Sequence, residues 1–147
     1  MSKVVTISEA ASIALHGMVL LAQSQDKLTN VNQIAELTSS SRHHVAKVFQ
    51  VLVKEGWVNS HRGPTGGFKL IVDPSSINFL QIYELIEGEI DRSYCPFDKY
   101  EVCAFNDCLL GGITKKMTIE FAKYLESQTL AMHLNNKSVR AMHIKED

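Results

Sequence analysis

Apolar positions near the start of the chain recur at helical spacing: Ile7, Ala10, Ala11, Ala14, Leu15, Met18, Val19 and Ala22. Ser8 stands where an N-cap belongs, with Glu9 in the first turn, so the pattern predicts a helix over about 8–24. The polar run Ser24 to Lys27 ends it, and a short helix follows with Val31, Ile34, Ala35 and Leu37 inward. Thr38-Ser39-Ser40-Ser41 reads as a turn that also supplies caps for a third helix, about 41–55. Its buried face is Val45, Val48, Phe49 and Leu52, its other face shows Arg42, His43, Lys47 and Gln50, and Gly56 ends it. Trp57-Val58 and Phe68 to Val72 then flank the turn His61-Arg62-Gly63-Pro64-Thr65-Gly66-Gly67 and predict a β-hairpin. Helix, short helix, turn, helix and hairpin is the order of a winged helix-turn-helix.

The second half is patterned differently. After Asp73-Pro74, the positions Ile77, Leu80, Ile82, Tyr83, Leu85 and Ile86 predict a helix ending near Gly88. A segment from about 89 to 111 has no periodicity and contains Pro96, with Gly111-Gly112 closing it. A structureless stretch of that length in a compact chain is usually functional. Ile113, Met117, Phe121, Tyr124, Leu125 and Gln128 then form a mostly apolar stripe on a helix of roughly 113–128. From His133 onward the chain is polar and is expected to be a loose tail, with His133 and His143 as solvated surface residues.

The expected fold is therefore mainly α with a small β-hairpin. Residues 1–74 form the winged helix-turn-helix. Residues 75–132 hold a linker helix, the loop of about 89–111 and a long dimerisation helix, and 133–147 form a flexible tail.

Composition changes this picture little: 147 residues, 45% apolar and 21% charged, describe one globular unit. Charge distribution adds more. Residues 1–72 carry seven Lys/Arg against four Asp/Glu, and 73–147 carry eight against twelve, so net +3 faces net −4. Within 42–71, Arg42, Lys47, Lys54, Arg62 and Lys69 outweigh Glu55. Such a window fits a small DNA footprint, or simply a solvated face. Ile13 to Ala22 is mostly apolar but is interrupted by His16 and Gly17, with Glu9 before it. No stretch reaches the roughly 18 apolar residues of a membrane span, and a cytoplasmic protein is expected.

A recognition helix presents its N-terminal turns to base edges in the major groove, which here places Ser41, Arg42, His43, His44 and Lys47 as candidates. Arg suits guanine and Lys47 suits phosphate, while His44 has the alternative of facing inward beside Val45 and Val48. On the hairpin, the tip residues His61, Arg62, Gly63, Pro64, Thr65 and Gly66 allow close approach, and an arginine there can enter a narrow minor groove.

The chain has three cysteines, Cys95, Cys103 and Cys108, all in the 89–111 segment with spacing C-x7-C-x4-C. An odd set in a reducing compartment argues against structural disulfides. Thiolates ligate iron–sulfur clusters on irregular loops, whereas structural zinc favours short C-x2–4-C pairs that are missing here. A cluster, a zinc site, a thiol switch and unreactive cysteines all remain open from the residues alone. The polar neighbours Pro96, Asp98, Lys99, Glu101, Asn106 and Asp107 argue against buried, unreactive thiols. Nothing supports an enzyme: the chain lacks a phosphate-cradling glycine loop, a nucleophile elbow and a C-x-x-C redox pair.

The run Ser41-Arg42-His43-His44-Val45-Ala46-Lys47-Val48, then Gly56-Trp57-Val58, then Arg62-Gly63-Pro64-Thr65-Gly66-Gly67-Phe68, resembles the IscR/NsrR (BadM-type) family of bacterial winged-helix regulators. Leu125-Glu126-Ser127-Gln128-Thr129-Leu130 is also similar, so the resemblance covers roughly 5–132. Its recognition helix is closer to the nitric-oxide-responsive NsrR branch than to the IscR branch. The resemblance implies a homodimer with crossed long helices, palindromic double-stranded DNA sites, and an iron–sulfur cluster that sets DNA affinity, most often for repression. It carries Cys95, Cys103 and Cys108 over as cluster ligands, with two-iron and four-iron forms both open. The fourth ligand does not carry over. The IscR branch has a histidine where this chain has Gly111, and the NsrR branch can use an aspartate from helix one of the partner, at a position matching Ser12. Glu9, Ser12 or His16 of the partner subunit, or a non-protein ligand, are the candidates. The alternative reading is a cluster-free winged-helix regulator or protein-interaction adaptor.

Overall fold

The computed structural model describes residues 1–93, 95–97 and 103–137. Helix α1 (Glu9–Ser24) lies at the centre of its packing. Ser8 caps it by accepting the Ala11 N–H, and Ala11, Ile13, Ala14, Met18, Leu21 and Ala22 are buried along one face. Gly17, expected to interrupt an apolar run, is a packing position instead. A Cβ there would stand 2.6 Å from Cζ of Phe49, so its absence lets α1 and α3 approach closely.

Helix α2 (Val31–Thr38) starts with a capping box in which Asn30 and Gln33 satisfy each other's backbone N–H. Ser39 ends it in the left-handed region, and Ser41 opens α3 (Arg42–Glu55) by accepting the His44 N–H. Gly56, at φ 89°, closes α3 as its spacing predicts. Val45, Val48, Phe49 and Leu52 are buried, and Phe49 meets Phe68 with ring centroids 4.7 Å apart. Burying such a phenylalanine is worth about 1.5–3 kcal/mol.

Strands β1 (Val58–His61) and β2 (Gly67–Leu70) pair antiparallel, Val58 with Leu70 and His61 with Gly67. His61 thus belongs to the strand, and the turn proper is Arg62 to Gly66. A bridge between Thr29 and Phe68 attaches the hairpin to the segment before α2.

Helix α4 (Phe79–Glu87) begins with a second capping box, Asn78 with Gln81, and Gly88 ends it. The helix starts two residues after Ile77, because Ile77 is extended and pairs with the segment after α5: Leu130 N–H donates to Ile77 O at 3.0 Å. Phe79 N–H likewise donates to Gln128 O at 2.8 Å. Helix α5 (Ile113–Ser127) buries Ala122 and Leu125 beside Leu80 of α4, with Tyr83 meeting Phe121 edge-on at 5.4 Å.

The expected loose tail is corrected over its first residues. His133 ends a 3-10 turn (Leu130–His133), and its ring stacks on Phe79 at 4.8 Å. Gln23 on α1 donates to the carbonyls of His133 (2.9 Å) and Asn136 (2.6 Å), satisfying backbone that would otherwise need water. His143 and the rest of the expected tail lie outside the described residues.

Candidate nucleic-acid interface and cysteine loop

The buried face of α3 fixes what its other face can do. With Val45, Val48 and Phe49 turned into the core, Arg42, His43, Lys47 and Gln50 are exposed on one side of the helix. Ser41 is exposed too, but its oxygen already accepts the His44 N–H at 3.1 Å, leaving its O–H as the free donor. Arg42 reaches Asn32 of α2, with Nη1 to Oδ1 at 3.3 Å. Asn32, which sequence reasoning passed over, therefore stands beside the reading face. His44 is half-buried and turns its Nδ1 to Glu9 Oε1, 3.2 Å away. A pairing across 35 positions leaves no periodic signal in the sequence.

The wing presents His61, Arg62, Gly63, Pro64 and Thr65 as exposed residues. Gly63 has φ 109°, and Gly66 N–H donates to its carbonyl at 3.0 Å. A Cβ on Gly66 would meet His61 O at 2.1 Å, and one on Gly67 would meet Thr29 O at 2.6 Å. Both positions require glycine to keep the tip narrow and tied to the body. Arg62 has no ion pair among the described residues, whereas Lys69 lies 3.4 Å from Asp26 and is partly committed.

The cysteine segment is built the opposite way. Cys95, Cys103 and Cys108 are all exposed and free of disulfide. Ile90 N–H donates to Glu84 Oε1, and Asp91 caps a tight turn by accepting from Ser93 N–H (2.8 Å) and hydroxyl (2.6 Å). That bonding holds the Asp91 carboxyl below the usual carboxylate range. Asp98, Lys99 and Glu101 lie outside the described residues, while Pro96, Asn106 and Asp107 are exposed. The Cys108 thiol is pulled below its ordinary range by the backbone N–H of Gly112, then Leu110, then Gly111, at the start of α5. Three accessible thiols fit an iron–sulfur centre by donor type. Among the described residues, no group of three His, Cys, Asp or Glu is gathered around one point.

Of the fourth-ligand candidates, Glu9 is engaged by His44, and His16 Nδ1 lies 2.7 Å from Ser12 O and 3.2 Å from Ser12 Oγ. Gly111 takes φ 59° in the turn before α5. Apolar side chains are exposed throughout this half: Phe97, Phe105 and Leu109 on the loop, and Ile113, Met117 and Tyr124 on α5. No helix among the described residues is long and apolar enough to cross a membrane.

The family model Rrf2, described as an iron-dependent transcriptional regulator, matches residues 7–136. The chain is 29% identical to the HTH-type transcriptional regulator NsrR of Halalkalibacterium halodurans, over 82% of this chain and 83% of that protein. Its fold is similar to IscR of T. potens (TM-score 0.68, 25% identity, covering 90% of this chain and 88% of that one). It is also similar to CymR, the global cysteine regulator of B. subtilis (TM-score 0.70, 24% identity, 91% and 99%). The chain belongs to the Rrf2 family, and is a winged-helix transcriptional regulator rather than an enzyme.

Proposed function

We propose that the protein is a cytoplasmic, homodimeric repressor whose grip on a palindromic duplex DNA operator is set by an iron–sulfur cluster. The observation that carries the DNA part is the reading face itself. Arg42, His43 and Lys47 are exposed over a buried helix face, and the glycine-constrained hairpin tip carries an exposed Arg62. In this reading Ser41, Arg42, His43, His44 and Lys47 meet the major groove, and His61 to Gly66 meet the backbone or minor groove. Lys47 and Arg62 supply phosphate attraction, which makes affinity fall steeply with salt.

Cys95, Cys103 and Cys108 would hold the cluster, supported by their exposure and by the donor type. When bound, a cluster supplies a thiolate-anchored iron centre that nitric oxide, oxygen or iron scarcity can degrade. What the chain must add is a preference for one dimer geometry. A hundredfold change in operator affinity needs about 2.7 kcal/mol of coupling. Dimerisation is supported by the apolar residues Ile113, Met117 and Tyr124, which α5 leaves uncovered. One observation favours a second reading: the lowered Cys108 thiol suits a cluster-free thiol switch.

The test is anaerobic purification with iron, acid-labile sulfide and visible absorption measured on one sample, repeated for Cys103→Ala. Wild type should bind iron and sulfide and absorb broadly in the visible, and the variant should lose the chromophore and change operator affinity. A colourless, iron-free protein after reconstitution would rule out the cluster and favour the thiol switch.

A further inference from the structure

Glu9 opens α1, yet its carboxylate is spent on the first turn of α3. His44 Nδ1 lies 3.2 Å from Glu9 Oε1, whereas the Ser40 hydroxyl donates to Thr38 O at 3.3 Å. The contact from His44 holds this carboxyl below the usual carboxylate range. His44 stands in the first turn of α3, three residues after the N-cap Ser41. One carboxylate at the start of α1 therefore meets the first turn of the reading helix.

The same turn of α1 also meets α4. The Ser8 hydroxyl donates to the Glu87 carboxylate in the last turn of α4, and Glu84 on that helix accepts the Ile90 N–H. The first turn of α1 thus links the reading helix to the helix that leads into the cysteine segment.

We propose that Glu9 is a positioning residue for DNA reading, its carboxylate orienting His44 and seating the first turn of α3 against α1. The proposal rests on α3 being the reading helix. An exposed pair of this kind contributes little to stability, so its effect belongs to orientation. Its charge also has the wrong sign for a phosphate contact: a carboxylate near DNA opposes binding to every duplex. The two roles of Glu9 therefore separate by sign. Removing the charge alone strengthens binding to any sequence, whereas losing the seat weakens discrimination.

The experiment uses the full chain, a duplex selected by wild-type protein from a random pool, and a scrambled duplex of equal composition. Glu9→Gln should lower the ratio of selected to scrambled affinity at least about fivefold, the lower end for one lost base contact. Binding to the scrambled duplex should hold or tighten, and the melting temperature should stay in place. The His44 Nδ1 resonance should shift in Glu9→Gln, and the substitution should have much less effect in a His44→Ala background. An unchanged ratio in Glu9→Gln, while Arg42→Ala loses discrimination, overturns the role of Glu9 and leaves α3 as the reading helix. Additive effects of Glu9→Gln and His44→Ala also overturn it. If wild type enriches no sequence, or Arg42→Ala discriminates as well as wild type, the assignment of α3 falls and takes the proposal with it.

Discussion

The two halves of this chain finish their packing to different degrees. In the reading half, Ile13, Met18, Leu21, Ile34, Val45, Phe49, Leu52 and Val58 are all but fully buried, and α1, α2 and α3 each start with a side-chain cap. In the second half, α5 buries Ala122 and Leu125, has no side-chain cap, and leaves Tyr124 59% exposed. The loop before it leaves Phe105 58% exposed, with all three thiols accessible. A helix draws most of its stability from an apolar face packed on neighbours, and the core around α1 also takes in Ile77, Ile82 and Leu130 of the second half. The second presents surface that a second copy, and a bound group, would complete. In the proposed function the second half is where a signal would act, since a signal can bias only an element with more than one accessible state.

The most damaging test of that contrast is in the reader. Phe49→Ala should cost about 3–5 kcal/mol, read from the denaturation midpoint, because α1, α3 and the hairpin all lose their common contact. A midpoint close to wild type would mean that the first half does not rest on this core. Next comes the exposed face of α5. Met117→Asp should raise the dimer dissociation constant at least about a hundredfold in sedimentation equilibrium, with the reader still folded. A dimer of wild-type strength would place the interface elsewhere.

Smaller effects sharpen the comparison. Arg62→Ala should weaken operator binding about tenfold and reduce the salt slope by about 1, with stability within about 0.5 kcal/mol of wild type. Unaltered gel-shift affinity at physiological salt would remove the wing from the interface. In cluster-free protein, iodoacetamide followed by mass spectrometry should label Cys108 before Cys95 and Cys103, because backbone N–H groups favour its thiolate. Equal rates for the three would contradict that cause.

The smallest expected effect is a pH dependence at Asp73, whose carboxyl is lowered by the Ser75 N–H and hydroxyl. A lowered folded value means its contribution is present above the ordinary aspartate range and is lost as pH falls through that lowered value. Asp73→Asn should flatten this acid-side slope in thermal melts, and a slope identical to wild type would count against the capping role.

Much of the reader was legible in the residues. Helical spacing placed α1 to α3, Ser8, Ser41 and Gly56 marked their ends, and the Gly/Pro turn marked the hairpin. These signals are local: a period, a cap or a turn depends on residues a few positions apart. The candidates Arg42, His43, Lys47 and Arg62 were readable for the same reason, because the buried positions of α3 and the shape of the turn leave them outside. The cysteines were visible as a cluster in sequence, but spacing does not say how three thiols sit relative to one another.

Periodicity, capping chemistry and turn residues settled the elements and their order, since those depend on neighbours along the chain. Folding alone settled which distant groups meet. Glu9 against His44, Ser8 against Glu87, Gly17 beneath Phe49, and His133 against Phe79 all join residues more than thirty positions apart. No local pattern encodes such pairs, because each exists only once helices packed by their apolar faces bring their ends together.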